Sequence, residues 1–70
     1  MKISARNLLK GTIKSIEIGA VNAEVVVELQ GGAQITSIVT KESVASLGLA
    51  KGKSAYAVIK ASNVMLGTDD

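Results

Sequence analysis

"VNAEVVVELQGGAQITSIVT", residues 21–40, decides how this chain folds. Val21, Ala23, Val25, Val27 and Leu29 recur at every second position, while Glu24, Val26 and Glu28 fall on the other face. A period of two buries one side of a β-strand and leaves the other to water. Gly31 and Gly32 close the run and supply the positive φ angles a hairpin turn requires. The segment "AQITSIVT", 33–40, then follows as the next strand.

Upstream, "GTIKSIEIG", 11–19, sets Ile13, Ile16 and Ile18 among Lys, Ser and Glu. The imperfect phase fits a bent strand, with Gly11 as the candidate for a bend or bulge. Gly19 and Ala20 separate this strand from the next. Downstream the period changes. In "TKESVASLGLAKG", 40–52, Val44 and Leu47 are three apart, as on a helix, and cannot share a strand face with Leu49. Thr40 suits the N-cap, Glu42 the first turn and Gly48 the C′ position, which predicts one short helix of about two turns. After "AKGK", the run "SAYAVIKASNVML", 54–66, resumes extended structure with a break at 61–63.

This order predicts an all-β fold: a five-stranded Greek-key barrel of the OB type with one short helix between strands 3 and 4. A split barrel like that of SH3 domains is the alternative. Residues 1–67 make a single domain and 68–70 a polar tail expected to fray. There is no internal repeat, linker or low-complexity segment.

A domain of 70 residues buries too little of its surface to be comfortably stable alone. With no Cys and no His, neither disulfides nor a zinc site can make up the shortfall. Tyr56 is the only aromatic residue, so Val, Ile, Leu and Ala must build the core. Hydrophobic residues still make up 47% of the chain, more than a lone small domain needs inside, and the excess reads as subunit interface. A net charge of +2 is too mild to announce a nucleic-acid binder, though it favours small anions. No apolar run approaches the roughly 18–20 residues that span a bilayer. "MKISARN" also lacks the apolar segment of a signal peptide, so a cytoplasmic protein without membrane attachment is expected.

The chemistry-bearing residues are few. Without His or Cys, and with Glu24 and Glu28 on a strand face, no acid–base pair or nucleophile stands out, and an enzyme is not expected. "GLAKGK" lacks the spacing of a phosphate-binding loop and falls at a helix end, where a turn explains it. Single-strand nucleic-acid binders stack bases on aromatic rings above a basic groove; one tyrosine makes no platform, and Lys10, Lys14, Lys41, Lys51 and Lys53 are scattered.

What remains is a polar set at strand ends. Ser4 and Arg6 open the first strand, Thr40 and Ser43 flank the helix start, and Lys60 and Ser62 sit at the break in the last extended run. Hydroxyls, cations and free backbone N–H groups are what a tetrahedral dianion demands: donors only, with positive charge to offset desolvation. A helix start at Thr40 would add orphan N–H groups and a dipole. On composition alone the plainer reading is favoured, with Thr40 and Ser43 capping a helix and Arg6 and Lys60 as ordinary surface cations.

"ISARNLLKGTIKSIEIGAVNAEVVVEL" followed by "YAVIKASNVML" closely resembles the molbindins of the Mop family, small cytoplasmic proteins that bind molybdate and tungstate. The similarity runs from residue 1 to about 66, and its most specific pieces are "SARN", "GAVNAEV" and "VIKAS", in the family's order and spacing. The resemblance implies OB-type barrels assembled as a homohexamer, a trimer of dimers, that stores or buffers molybdate or tungstate, with no catalytic cofactor. It also implies an oxyanion held between subunits by Ser4 and Arg6 of "SARN" and by Lys60 of "IKAS" from a neighbouring chain. Thr40 and Ser43 would offer hydroxyls, and Ala5, Ala61 and Ser62 backbone or hydroxyl donors, with no side chain bonded directly to the metal. A second class of site, also implied by the family, is expected at the "GAVN" turn with Gly19, Val21 and Asn22, where a plain turn is an equal alternative. Related domains occur fused to a helix-turn-helix regulator or a transporter ATPase, neither of which 70 residues can encode. Leu8 departs from the family, in which the position after "SARN" is often polar. The rival functions are a nucleic-acid-binding OB module and a purely structural oligomerisation domain.

Overall fold

The structure is a computed structural model and describes residues 1–69. The strands are β1 (Asn7–Ile18), β2 (Asn22–Leu29), β3 (Gln34–Thr40) and β4 (Ser54–Ile59). Helix α1 (Lys41–Leu47) follows β3 directly, and a 3-10 turn, Ala61–Asn63, follows β4. The strands form one antiparallel sheet in the order β3-β2-β1-β4, so β3 and β4 are its free edges.

The long β1 strand organises the sheet. Its first half pairs with β4, from Asn7 opposite Ile59 to Thr12 opposite Ser54. Its second half pairs with β2, from Gly11 opposite Leu29 to Ile18 opposite Ala23. Only Gly11 and Thr12 are laddered on both sides. There the sheet curls, and Gly11 permits it: a Cβ at this position would lie 2.5 Å from the Glu28 carbonyl oxygen and 2.7 Å from Val27 Cγ1. The bulge itself is at Lys14 and not at Gly11, because the register slips between Ile13 opposite Val27 and Ser15 opposite Val26. One extra residue reverses the side-chain alternation. Ile13 and Ile16 therefore both face inward although they are three apart, while Ile18 is half exposed.

The core is small and aliphatic. Ile13, Ala23, Val25 and Val27 are buried, and Ile16, Leu29, Val39, Val44, Leu49 and Ala55 pack against the Ile13–Val25–Val27 cluster. The alternation in β2 therefore holds from Ala23 to Leu29. Val21 lies outside the strand and is 71% exposed, so it adds nothing to the core.

Helix α1 has the expected ends. Thr40 is extended (φ −73°, ψ 150°), and its Oγ1 accepts from the Ser43 N–H at 3.0 Å. Gly48 is left-handed (φ 64°, ψ 34°), and its N–H reaches the Ala45 carbonyl at 3.1 Å while that of Leu49 reaches Val44 at 3.0 Å. The paired donors close the helix as glycine C′ residues do.

Four strands are present among the described residues where five were expected. After the 3-10 turn, residues 64–66 are extended in sequence pattern but lie on neither free edge, and Met65 and Leu66 are 92% and 95% exposed. A strand needs a ladder partner, and this segment has none among the described residues. Of the polar tail 68–70, Asp70 lies outside the described residues.

Candidate functional site

The β1–β4 ladder ends at Asn7 opposite Ile59. The next residue on each side is therefore a cation, Arg6 before β1 and Lys60 after β4. Asn7 ties the two sides together, its Nδ2 donating to the Ile59 carbonyl at 3.3 Å. Beyond Lys60 the chain turns through Ala61–Asn63, whose ends are drawn in by Asn63 N–H to Lys60 O (2.9 Å) and Val64 N–H to Ala61 O (3.2 Å).

These two chain segments line one open depression of about 660 Å³ formed by Ile3, Ser4, Ala5, Arg6, Val58, Lys60, Ala61, Ser62 and Asn63. No carboxylate lines it, and neither cation is in an ion pair among the described residues, where the single salt bridge is Lys14 to Glu28 at 3.9 Å. Both cations line the same depression, where an anion can take a charge-assisted contact from each. The depression is far wider than a small tetrahedral ion, and its residues are exposed apart from the half-buried Ala5.

Six of the eight expected oxyanion residues thus meet: Ser4, Ala5, Arg6, Lys60, Ala61 and Ser62. Thr40 and Ser43 do not join them. Thr40 stands opposite Asn22 at the end of the β2–β3 ladder, and the Lys41 N–H donates to the Val21 carbonyl at 2.8 Å. The cap of α1 is therefore continuous with the Gly19, Val21 and Asn22 turn, at the far end of β1 from Arg6. Ile18 lies eleven residue steps along β1 from Asn7, roughly 35 Å of extended chain. Thr40 Oγ1 and Ser43 Oγ also bond to each other at 2.7 Å, in an arrangement that capping by itself accounts for. Gly19 closes the turn by donating to the Asn22 carbonyl at 2.7 Å.

Asn7 and Asn63 were not singled out in the sequence. Asn7 carries the signal of its place beside Arg6, since an Asn at the first position of a strand is free to bond a neighbouring carbonyl. Asn63 carried none beyond the break in the strand pattern.

The TOBE domain model matches residues 3–66, nearly the whole chain. The chain belongs to the TOBE domain family. This TOBE domain is 52% identical to a probable molybdenum-pterin-binding protein of Haemophilus influenzae, over 99% of this chain and 100% of that one. Among solved structures it superposes on MopII of Clostridium pasteurianum with a TM-score of 0.91 at 46% identity, covering 96% of this chain and 100% of that chain. It also superposes on the cytoplasmic molybdate-binding protein ModG, in a form with molybdate bound, with a TM-score of 0.92 at 69% identity. That match covers 96% of this domain and 48% of ModG.

Proposed function

We propose that this TOBE domain binds molybdate, and tungstate as an ion of the same shape and charge, as an intracellular store or buffer. The observation that carries the reading is that Arg6 and Lys60 line one depression with Ser4, Ala61 and Ser62, neither cation having a carboxylate partner among the described residues. The comparisons support it, since relatives 52% and 48% identical are named molybdenum-pterin-binding proteins and ModG is a molybdate-binding protein. These are binding proteins, and nothing in their names assigns them a reaction. Cytoplasmic residence follows the description of ModG and agrees with the lack of any helix, among the described residues, long and apolar enough to cross a membrane.

In this reading the anion lies between subunits of a homohexamer, a trimer of dimers. The half-open depression supports shared sites, and so does the placement of Thr40 and Ser43, which can reach the Arg6 and Lys60 cluster only from another chain. The Gly19, Val21 and Asn22 turn is the proposed second class of site. The fifth strand of the OB-type barrel forms on assembly. Residues 1–67 act as one binding unit without nucleic acid or membrane.

Isothermal titration calorimetry with molybdate, repeated in excess sulfate, tests the function. Binding that persists in sulfate and is lost in both Arg6→Ala and Lys60→Ala supports it. A heat that sulfate abolishes, or that both variants retain, refutes it. A purely structural assembly domain would oligomerise and give no heat at all.

A further inference from the structure

As an edge strand, β4 has one ladder, to β1, so the placement of Lys60 relative to Arg6 passes through the six pairs of that ladder. Asn7 opposite Ile59 is the last pair, and Arg6 and Lys60 are the next residues outward. Past it, among the described residues, no hydrogen bond or ion pair joins the chain before Asn7 to the chain after Ile59. Strand ends held by so little open readily. One side-chain bond closes this end: Asn7 Nδ2 donates to the Ile59 carbonyl at 3.3 Å, between residues 52 apart in the chain.

Asn is a poor strand former, and this position suits an apolar side chain. Asn7 is in phase with Leu9, Gly11 and the buried Ile13, which puts it on the inner face of the sheet, and it is half-buried there. It does not line the depression that Arg6 and Lys60 share, so its amide is not a further donor to an anion in that depression. A residue that local propensity disfavours is explained here by the bond it makes.

We propose that Asn7 is a positioning residue: by clasping the last β1–β4 pair it sets the spacing of Arg6 and Lys60, and with it the choice among tetrahedral dianions. The inference rests on the anion reading of that depression. The guanidinium and the ammonium move on their stems, but the backbones that carry them are fixed before the anion arrives. A pre-set pair gives full charge-assisted contacts to an ion of matching size and weaker ones to a smaller ion. A loose pair closes on either ion and loses affinity in ordering itself. Opening the clasp therefore weakens molybdate binding more than that of sulfate, the smaller ion, and the ratio of the two affinities falls.

The test is calorimetric titration of the full chain with molybdate, alone and with sulfate in competition. The unsubstituted protein is compared with Asn7→Leu, Asn7→Ala and Asn7→Gln. Asn7→Leu removes the donor at nearly constant volume. Asn7→Ala removes it with a smaller side chain, so that failure of either variant to fold does not decide the question. Asn7→Gln keeps the amide donor. The two variants without a donor should lose about threefold to tenfold in molybdate affinity, the worth of one neutral hydrogen bond. Sulfate should lose less, and Asn7→Gln should lie nearer the unsubstituted protein in both affinity and ratio. An unchanged molybdate affinity without the donor overturns the proposal. An equal loss for both ions, with the ratio preserved, also overturns it and leaves Asn7 a structural part of the strand. Those two results leave the proposed function standing, whereas an unsubstituted protein that binds no molybdate refutes that function and this inference with it.

Discussion

Asn22 stands directly opposite Thr40 across the β2–β3 ladder, and this pairing joins the cap of α1 to the Gly19–Asn22 turn at the end of β1 remote from Arg6. An anion bound by Arg6 and Lys60 can therefore meet the Thr40 and Ser43 hydroxyls only where two chains come together.

Thr40 has two separable roles. Thr40→Val removes the acceptor of the Ser43 N–H and costs about 1 kcal/mol of stability, as loss of an N-cap does. If its hydroxyl also completes a neighbour's site, molybdate affinity falls about tenfold or more, the worth of a hydrogen bond to a charged group. Thr40→Ser keeps both. Denaturant unfolding and titration of the two variants separate the roles, and a full loss of stability with unchanged affinity would confine Thr40 to capping.

Arg6→Ala and Lys60→Ala each remove one charge-assisted contact, worth about 1.5–3 kcal/mol or roughly 10–100-fold in affinity. Without ligand neither lowers the melting temperature, because both side chains are exposed and neither is in an ion pair among the described residues. A lower melting temperature in the ligand-free variants would assign the two cations a structural role.

Gly11→Ala strikes the curl of the sheet. Its Cβ would meet the backbone of Glu28, which cannot rotate away as a side chain does. We expect a loss of about 1–3 kcal/mol, as for overpacking elsewhere. That is a large share of the stability of so small a domain, and thermal unfolding would show it. A neutral substitution would mean that β1 and β2 separate at this point without cost.

The fold was legible where one chain decides it. The alternation of β2, the hairpin glycines and both helix caps are local signals, and the structure places β2, β3 and α1 within a residue of the sequence reading. Gly11 reads in the sequence as a candidate for a bend or bulge, and it is where β1 and β2 approach closely, but the bulge is elsewhere. It falls at Lys14 because the inward run of Ile13 and Ile16 can be kept only by one extra residue between them. The Arg6 and Lys60 cluster was legible through its motif and is explained by antiparallel register, which sequence spacing does not reveal. Val21 misled because it continues the β2 alternation past the strand's first residue. The expected fifth strand is absent because residues 64–66 have no ladder partner among the described residues, and Thr40 and Ser43 stand apart from the Arg6 and Lys60 cluster because the β2–β3 ladder carries them to the other end of β1, a matter of register that spacing along the chain does not reveal.

Linkage gives a further expectation. A ligand that binds only the assembled protein stabilises it by mass action, by about 2.7 kcal/mol at a hundredfold excess over its dissociation constant. Molybdate should raise the melting temperature, and dilution of the protein should reduce that gain. A gain independent of protein concentration would indicate that single chains bind.

Native mass spectrometry across a dilution series with molybdate present tests shared sites most directly, because it counts chains and anions in the same particle. Molybdate carried by oligomers and absent from single chains is the expected result. A single chain that retains molybdate as tightly as the oligomer would contradict it, and would make the depression beside Arg6 and Lys60 a complete site.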